Sequence, residues 1–368
     1  VAAQLGEGNE IKARQNFSFF ILFSIAISAT FSVVGIVLKE PLLYAMGADQ
    51  NLYALCEAYA IPIMLIIPFA MVGILLQIFF VAAGNPGLGF GLSLAGGVLN
   101  IILDYVLIAV IPLGVAGAAW ATGAGYVLQT VVGICYFTFR RKGSLYFVKP
   151  KFDGKALWKA CSNGMSEMVG MLAVTITMIA MNVILMNLTG SDGVAASAIV
   201  LAVQSLLSAL YMGYAQGIAP VISFNYGRQD KDNLKKLYRI ALKTIAVMSI
   251  VTFILVFPLA RPIARLYAEG VENVIEMAVE GIFVFSGAFL LMGFNLFASS
   301  MFTALNDGKT SAILSLFRTL IFLIVPLLIL PPLFGIWGVW AAMPTAEVLS
   351  GLLSRYYFRA KKNLYGYA

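Results

Sequence analysis

Ten long runs of apolar residues constrain the fold of this chain more than any other feature of its sequence. Each run has between 20 and 30 residues, and a transmembrane helix needs about 20. Segments of this length and uniformity do not fit the strands of a membrane barrel, and open sheet edges do not face lipid. The sequence therefore predicts an all-α polytopic membrane protein with helices over residues 17–38, 58–83, 88–111, 115–137, 160–187, 193–222, 241–260, 278–304, 311–333 and 335–354.

The composition supports this class and excludes several kinds of chemistry. Hydrophobic residues make up 61% of the 368 residues and charged residues 11%, whereas a soluble domain averages about 25% charged residues. The chain has no histidine, and its three cysteines lie in or beside apolar runs without metal-ligand spacing. We therefore expect no cofactor, no metal centre and no enzymatic activity, so carboxylates must carry any protonation chemistry.

The 24 basic residues are distributed asymmetrically about the predicted membrane. If residues 139–159 are cytoplasmic, 20 Lys and Arg residues fall on that side, three outside and one, Arg318, within the membrane. This distribution follows the positive-inside rule. We expect a multi-pass protein of the cell (inner) membrane with its charged loops and C-terminus in the cytoplasm. The partners predicted are the lipid bilayer and small organic cations or drugs, without nucleic acid, and we expect a monomer.

An internal repeat divides the chain into two halves. At an offset of 221 residues, glycine, proline and asparagine match without a shift: Gly6 with Gly227, Pro41 with Pro262, Asn85 with Asn306, and Gly114 with Gly335. These residues mark helix ends and turns, so their matches are informative. Six apolar runs separate corresponding positions, which predicts two pseudo-symmetric lobes of the same membrane orientation. The predicted divisions are a four-helix lobe over 1–138, a cytoplasmic linker over 139–159, and a six-helix lobe with a cytoplasmic tail over 160–368.

The repeat also predicts helices beyond those in the sequence. The runs 160–187 and 193–222 have no counterparts in the first half, and the chain begins with Val1. We expect about two further helices before Val1, giving twelve in a complete protein.

Two polar residues stand out in the apolar, glycine-rich hairpin 87–124. Asn100 and Asp104 are four residues apart and share a helix face. A carboxylate inside a bilayer costs about 3 kcal/mol on insertion scales, and no Lys or Arg lies in this hairpin. Thr122 falls at the depth of Asp104, about 10 Å below the outer surface. These three oxygen-bearing residues predict a site for Na⁺ or H⁺; an Asn–Asp network that only packs helices is the alternative.

The second half contains a different polar set. Glu167, Arg318 and Glu347 each lie about 12 Å from the inner boundary, so Arg318 could be shared between two carboxylates. This charge cluster is either a structural ion network or a site that titrates or meets a cationic substrate. Asn182, Gln216 and Asn295 are candidates for lining a substrate cleft, and interhelical hydrogen bonding is an equal alternative.

Several motifs in this order resemble the multidrug and toxic compound extrusion (MATE) family. They are Gly6-Glu-Gly-Asn9, Asn100-Ile-Ile-Leu-Asp104, Gly114-Val-Ala-Gly117-Ala-Ala-Trp-Ala-Thr122 and Gly217-Ile-Ala-Pro220. The resemblance implies a V-shaped pair of six-helix lobes that exports organic, often cationic, compounds in exchange for H⁺ or Na⁺. It also implies that Asn100, Asp104 and Thr122 belong to a first-lobe cation site, together with an Asp on a first helix that would precede Val1. Glu167 fits the family's second-lobe acid only loosely.

The alternative function is a flippase for lipid-linked oligosaccharides in the related superfamily. A pyrophosphate-bearing cargo favours several Arg or Lys residues in the cavity. Only one intramembrane base, Arg318, is present, with acids at its depth. A secondary antiporter that works by alternating access is therefore preferred over a flippase, and over a channel or an intramembrane enzyme.

Overall fold

Helices form nearly all of the structure. The computed structural model describes residues 1–45, 50, 52–141, 143–268 and 270–368, apart from the side chains of Ser166, Glu167 and Val169. No strand occurs in these ranges, which confirms the predicted all-helical class. The helices of the first half are α1 (Ala2–Gly6), α2 (Glu10–Val37), α3 (Lys39–Ala45), α4 (Tyr53–Ala82), α5 (Pro86–Asp104) and α6 (Gly114–Phe139). Those that follow are α7 (Gly154–Gly227), α8 (Lys231–Tyr267), α9 (Glu272–Ala304), α10 (Gly308–Leu316), α11 (Phe322–Phe334) and α12 (Ile336–Tyr365).

Two π-helical segments interrupt this pattern. One, Tyr105–Val110, directly follows α5, and the other, Phe317–Ile321, joins α10 to α11. A π turn adds a residue to a helix and rotates the side chains around it, and such turns are frequent at functional sites. The sequence did not predict them.

The predicted number of membrane crossings agrees with the structure. Within the described ranges, nine continuous elements are long and apolar enough to span a bilayer. One of them, α7, has 74 residues and would extend about 110 Å as a straight helix, several times the thickness of a membrane. Gly190 breaks it, with φ 69° and ψ −152°, a conformation that glycine adopts readily. Two spans in α7 bring the total to the ten that the apolar runs predict.

Helix boundaries repeat at the predicted offset of 221 residues. Helices α2 and α8 begin 221 residues apart, and both are capped at the N-terminus by the preceding side chain, Asn9 and Asp230. Gly114 and Gly335 have almost the same backbone angle, φ 57° and 58°. The matched residues therefore start helices in the same way in both halves.

The chain divides into two compact units, Val1–Leu157 and Trp158–Ala368. In the first, the segment after α6 runs back along α2: Arg14 Nε donates to the Ser144 carbonyl at 2.9 Å and the Val148 amide donates to Ser18 Oγ at 3.0 Å. Asp153 accepts from the Ala156 amide at 3.0 Å, which starts α7 at Gly154. The connection between α6 and α7 covers residues 140–153, so it is shorter than the predicted linker 139–159.

The core of the second unit is built around α9. This helix packs against α8, α10 and α12, and its Phe289 and Met292 side chains are almost fully buried, as is Trp340 of α12. Burial on several sides explains why α9 has few exposed large side chains. The same packing holds the polar residues of α9 and α12 next to each other inside the unit.

Candidate cation site and buried charge cluster

The candidate cation site lies where α5 passes into its π-helical continuation. Asp104 is the last residue of α5 and caps the π segment Tyr105–Val110. Asn100 lies one turn earlier on the same helix. The hairpin then turns at 111–113 and returns as α6, which carries Thr122.

Two close backbone approaches hold α5 and α6 together on either side of these residues. A Cβ atom on Gly125 would lie 2.7 Å from the Gly96 carbonyl oxygen, and one on Gly117 would lie 2.8 Å from the Leu107 carbonyl oxygen. Only glycine permits such contacts. Because one approach lies on each side of the polar residues, the backbone fixes the separation of the two helices at the site.

The three predicted residues lie between these approaches, and two of them are in contact. Asn100 Nδ2 donates to Thr122 Oγ1 at 3.4 Å, a long hydrogen bond. This contact leaves the Asn100 amide oxygen and a lone pair of the Thr122 hydroxyl as acceptors. Asp104 Oδ1 is buried and has no hydrogen-bond partner among the described residues. A buried polar atom without a partner costs about 1–3 kcal/mol, and a proton or a cation bound to this oxygen would remove that cost.

A different arrangement occupies the second unit. Arg318, in the π segment Phe317–Ile321, has a guanidinium nitrogen 3.5 Å from Glu347 Oε1. Asn295 Nδ2 donates to Glu347 Oε2 at 2.6 Å, and Ser354 Oγ donates to Asn295 Oδ1 at 3.0 Å. Glu347 is 1% exposed and Asn295 2%, so this is a buried charge cluster joining α9, the π segment and α12.

The cluster is not fully satisfied. Arg318 Nε and Glu347 Oε1 lack hydrogen-bond partners among the described residues, since the ion pair at 3.5 Å does not align for a hydrogen bond. The π turn displaces Arg318 from the register of a regular α-helix, which no sequence pattern indicated.

Of the other predicted site residues, Asn295 belongs to the buried charge cluster, and Asn182 and Gln216 form no hydrogen bond with either group among the described residues. The Glu167 side chain lies outside the described residues. Asn182 is half-buried and Gln216 exposed, both in α7. Asn295 was a candidate for lining a substrate cleft, and that interpretation is corrected here: the side chain is enclosed in the core, where its amide is committed to Glu347.

An apolar groove on α5 was missed by the sequence interpretation. It has a volume of about 570 Å³ and is lined by Gly91, Leu94, Ala95, Val98, Leu99 and Ile102, with Leu128 of α6. The volume lies in the range of small-molecule sites, about 300–1,000 Å³. Leucine and valine side chains spaced by three or four residues along α5 were the available signal, but in an apolar helix this pattern is indistinguishable from a lipid-facing stripe.

Known proteins resemble this chain over almost its full length. The model of the MatE family matches residues 1–106 and 168–328. The multidrug export protein MepA of Staphylococcus saprophyticus is 25% identical over 358 residues, which are 96% of this chain and 77% of that protein. MepA of Staphylococcus aureus (strain bovine RF122) is 26% identical over 354 residues, with the same coverage.

Solved structures share the fold. A MATE protein in complex with MaL6 has a TM-score of 0.92 at 20% identity, covering all of this chain and 83% of that one. A MOP superfamily transporter from Pyrococcus furiosus also has a TM-score of 0.92 at 20% identity, with coverages of 99% and 82%.

Proposed function

Because this chain belongs to the MatE family, we propose that it is a secondary active transporter that exports organic, often cationic, compounds in exchange for H⁺ or Na⁺. The names of its relatives support the cargo class, since the MepA proteins are multidrug export proteins. The main observation in support of ion coupling is that Asp104 Oδ1 is buried without a partner among the described residues, one helical turn from Asn100, which bonds to Thr122.

Asp104 is the coupling group in this proposal. Its ionised form needs a cation in an apolar lobe, whereas its protonated form is tolerated at much lower cost. Asn100 contributes an amide oxygen and Thr122 a hydroxyl oxygen, which are the hard ligands suited to Na⁺. For H⁺, the same acceptors would receive a hydrogen bond from the protonated carboxyl group.

Ion binding then alters side-chain packing beside the contact between α5 and α6. Neutralising Asp104 removes the need for water beside it, so the surrounding side chains can repack while the two glycine contacts keep the helices at the same separation. An ion entering from outside thereby lowers the affinity for cargo, which leaves outward. Linkage makes the effect reciprocal, so cargo binding must weaken ion binding by the same factor.

The apolar groove on α5 is the proposed surface for the organic part of the cargo. It occupies the same helix as Asn100 and Asp104, and its lining is almost entirely aliphatic. Aliphatic walls suit cargo of varied structure, because they impose few hydrogen-bond requirements. In this proposal the groove replaces Asn295 as a cargo contact, while Asn182 and Gln216 remain candidates.

The proposed location is the cell membrane, with the basic loops and the C-terminus in the cytoplasm and the protein acting as a monomer. The charge asymmetry of the sequence supports this orientation. The flippase alternative requires unpaired bases inside the transport cavity for a pyrophosphate group, whereas Arg318, the one intramembrane base that the sequence predicts, is paired with Glu347.

Transport in liposomes tests the proposal. The purified chain would be reconstituted, and movement of a fluorescent organic cation would be followed under an imposed pH gradient and, separately, an imposed Na⁺ gradient. We expect transport under one of the gradients, abolished by an ionophore that collapses it. Transport that is absent under both, or unaffected by the ionophores, would contradict ion-coupled export.

A further inference from the structure

A groove on the exposed face of α12 is separate from both sites described above. Its volume is about 580 Å³, and Leu352, Arg355, Tyr356, Arg359 and Ala360 line it. Leu352, Arg355, Tyr356 and Arg359 recur at three- and four-residue spacing, so they share one helix face. Leu352 and Tyr356 are 62% and 64% exposed, and both arginines are also exposed.

The arginines in this groove have no partner in the part of the chain that the structure describes. Among the described residues, neither Arg355 nor Arg359 takes part in any of the ion pairs or side-chain hydrogen bonds. Other bases nearby are committed: Lys361 is paired with Asp307, and Arg318 with Glu347. Two unpaired guanidinium groups one turn apart form an anion-binding surface with rigid, planar donors.

The position of the groove along α12 places it at a membrane surface. Trp337 and Tyr356 are the exposed aromatic residues near opposite ends of the apolar part of α12, at 50% and 64% exposure. They are 19 residues apart, about 28 Å along a helix, which equals the thickness of the hydrocarbon core, about 30 Å. Exposed Trp and Tyr residues mark the two interfaces of a membrane. Arg355 and Arg359 are thus at the height of lipid headgroups.

The surface next to the groove is apolar and exposed. Val348 and Leu349 are 50% and 37% exposed, and with Leu352 they form a stripe on α12 that leads from the membrane interior to the arginines. A ligand that matches both parts carries an acidic headgroup attached to hydrocarbon chains. At the corresponding positions of the first half, Val131, Ile134, Cys135 and Thr138 supply no positive charge, so the feature belongs to the second unit alone.

We propose that this groove binds an anionic phospholipid, with the lipid phosphate between Arg355 and Arg359, the headgroup against Tyr356 and an acyl chain along Leu352 and Val348. The charge, the depth and the adjoining apolar stripe all match a phospholipid of the leaflet at which α12 ends. Binding here requires only that α12 is embedded in a membrane. The test of this lipid site is therefore independent of the proposed ion coupling and cargo.

Lipid binding by the purified full chain tests this site. The chain in a non-ionic detergent would be titrated with phosphatidylglycerol, and bound lipids would be counted by native mass spectrometry. Each basic group near a membrane surface contributes a factor of about five in affinity, so R355Q/R359Q should bind roughly 30-fold more weakly. R355K/R359K should retain part of the affinity, because charge remains but the planar donors are lost.

A matched control separates a site from general charge attraction. Arg239 and Lys243 are another exposed pair four residues apart, on α8, so R239Q/K243Q removes the same charge elsewhere. It should bind phosphatidylglycerol like the wild type. Phosphatidylcholine with the same acyl chains and free glycerol phosphate should each bind far more weakly than phosphatidylglycerol.

Three results would overturn the proposal. They are equal binding by R355Q/R359Q and the wild type, equal losses in both double variants, and binding of glycerol phosphate as strong as that of the intact lipid. R359E alone provides a second variant, since one exposed substitution that places a carboxylate in the groove should abolish binding without disturbing the core.

Discussion

At the scale of single residues, Asp104 and Glu347, two predicted intramembrane carboxylates whose side chains the structure describes, have opposite surroundings. Asp104 has a buried oxygen without a partner, whereas Glu347 is held by Arg318 and Asn295. Coupling requires a group whose charge can change, and Asp104 is free to accept a cation. Removing the charge of Glu347 would instead leave Arg318 uncompensated inside the protein. The residue environments therefore support the proposed ion coupling in the first unit and a structural role for the Glu347 pair.

Replacing Arg318 tests this structural role. Arg318→Ala leaves the buried Glu347 charge uncompensated and should lower the free energy of unfolding by about 3–5 kcal/mol, measured by thermal or denaturant unfolding in detergent. The double variant Arg318→Met with Glu347→Leu should recover much of that loss, because no buried charge remains.

The control for Arg318 is an exposed pair of the same kind. Arg261 pairs with Glu272 at 2.9 Å, with both side chains more than half exposed, so Arg261→Ala should cost about 0–1 kcal/mol. Equal effects of Arg318→Ala and Arg261→Ala would show that the buried pair contributes no more than a surface contact.

Asp307, in the turn before α10, predicts a pH dependence of stability. Burial raises the pKa of this carboxyl group, but hydrogen bonds from Lys361 and Thr310 outweigh it and hold the pKa below its ordinary value. Its stabilisation is therefore present above the unfolded-state pKa of about 3.9 and is lost as the pH falls through the lower folded-state pKa.

Asp307→Asn tests this dependence, since asparagine keeps the helix cap but loses the charge pair with Lys361. We expect about 1–2 kcal/mol less stability at neutral pH and a smaller loss on acidification than in the wild type. Thermal unfolding from pH 7 to pH 3 measures both. The control is Asp232→Asn, at an exposed position on α8, which should behave like the wild type. If Asp307→Asn lost as much stability on acidification as the wild type, Asp307 would not be the source of this pH dependence.

At the scale of helices, the seam between α5 and α6 determines the geometry of the cation site. The Gly96–Gly125 and Gly117–Leu107 approaches leave no room for a Cβ atom. Asn100 lies on α5 and Thr122 on α6. The distance between the two helices therefore sets the distance between these two side chains. Backbone packing and the proposed ion binding therefore depend on the same contact between α5 and α6.

Gly125→Ala tests the role of this seam. The added methyl group clashes with the Gly96 carbonyl, so we expect a loss of about 1–3 kcal/mol in stability and weaker gradient-driven transport. Gly97→Ala is the matched control on α5, where an added Cβ has no atom within 4 Å and should be neutral or stabilising by up to about 1 kcal/mol. Wild-type stability and transport in Gly125→Ala would show that the close approach is not required.

Helices were also the level at which sequence analysis was most informative. Apolar length predicted ten crossings, and glycine, proline and asparagine matches predicted a helix register that the structure reproduces. The sequence predicted that Arg318 could pair with Glu347, because both residues lie at the same predicted depth in the membrane. The π segments were missed, because the i→i+5 hydrogen bonds leave no residue signature, and Asn295 was misassigned, because depth alone does not distinguish a cleft from a core. The residues predicted before Val1 stay a prediction.

At the scale of the whole molecule, the direction of transport depends on the orientation in the membrane. In a cysteine-free background made by replacing Cys56, Cys135 and Cys161, single cysteines would be placed at Lys151 and Val271, both exposed. The positive-inside distribution predicts that a membrane-impermeant maleimide labels position 151 only in inside-out vesicles and position 271 only in right-side-out vesicles. The reverse pattern would place the basic loops outside.

The most direct measurement of ion coupling is gradient-driven efflux by Asp104→Asn in liposomes. Asparagine keeps the size of the side chain, but its amide neither takes up a proton as a carboxylate does nor attracts a cation by charge. Wild type, Asp104→Asn and the surface variant Asp232→Asn would be compared at matched amounts of inserted protein, under the gradient that drives the wild type. We expect Asp104→Asn to be folded and inserted but to show no gradient-driven efflux, while Asp232→Asn transports normally. Efflux by Asp104→Asn at the wild-type rate and with the same ion dependence would contradict the assignment and leave Asp104 as a residue that only packs helices.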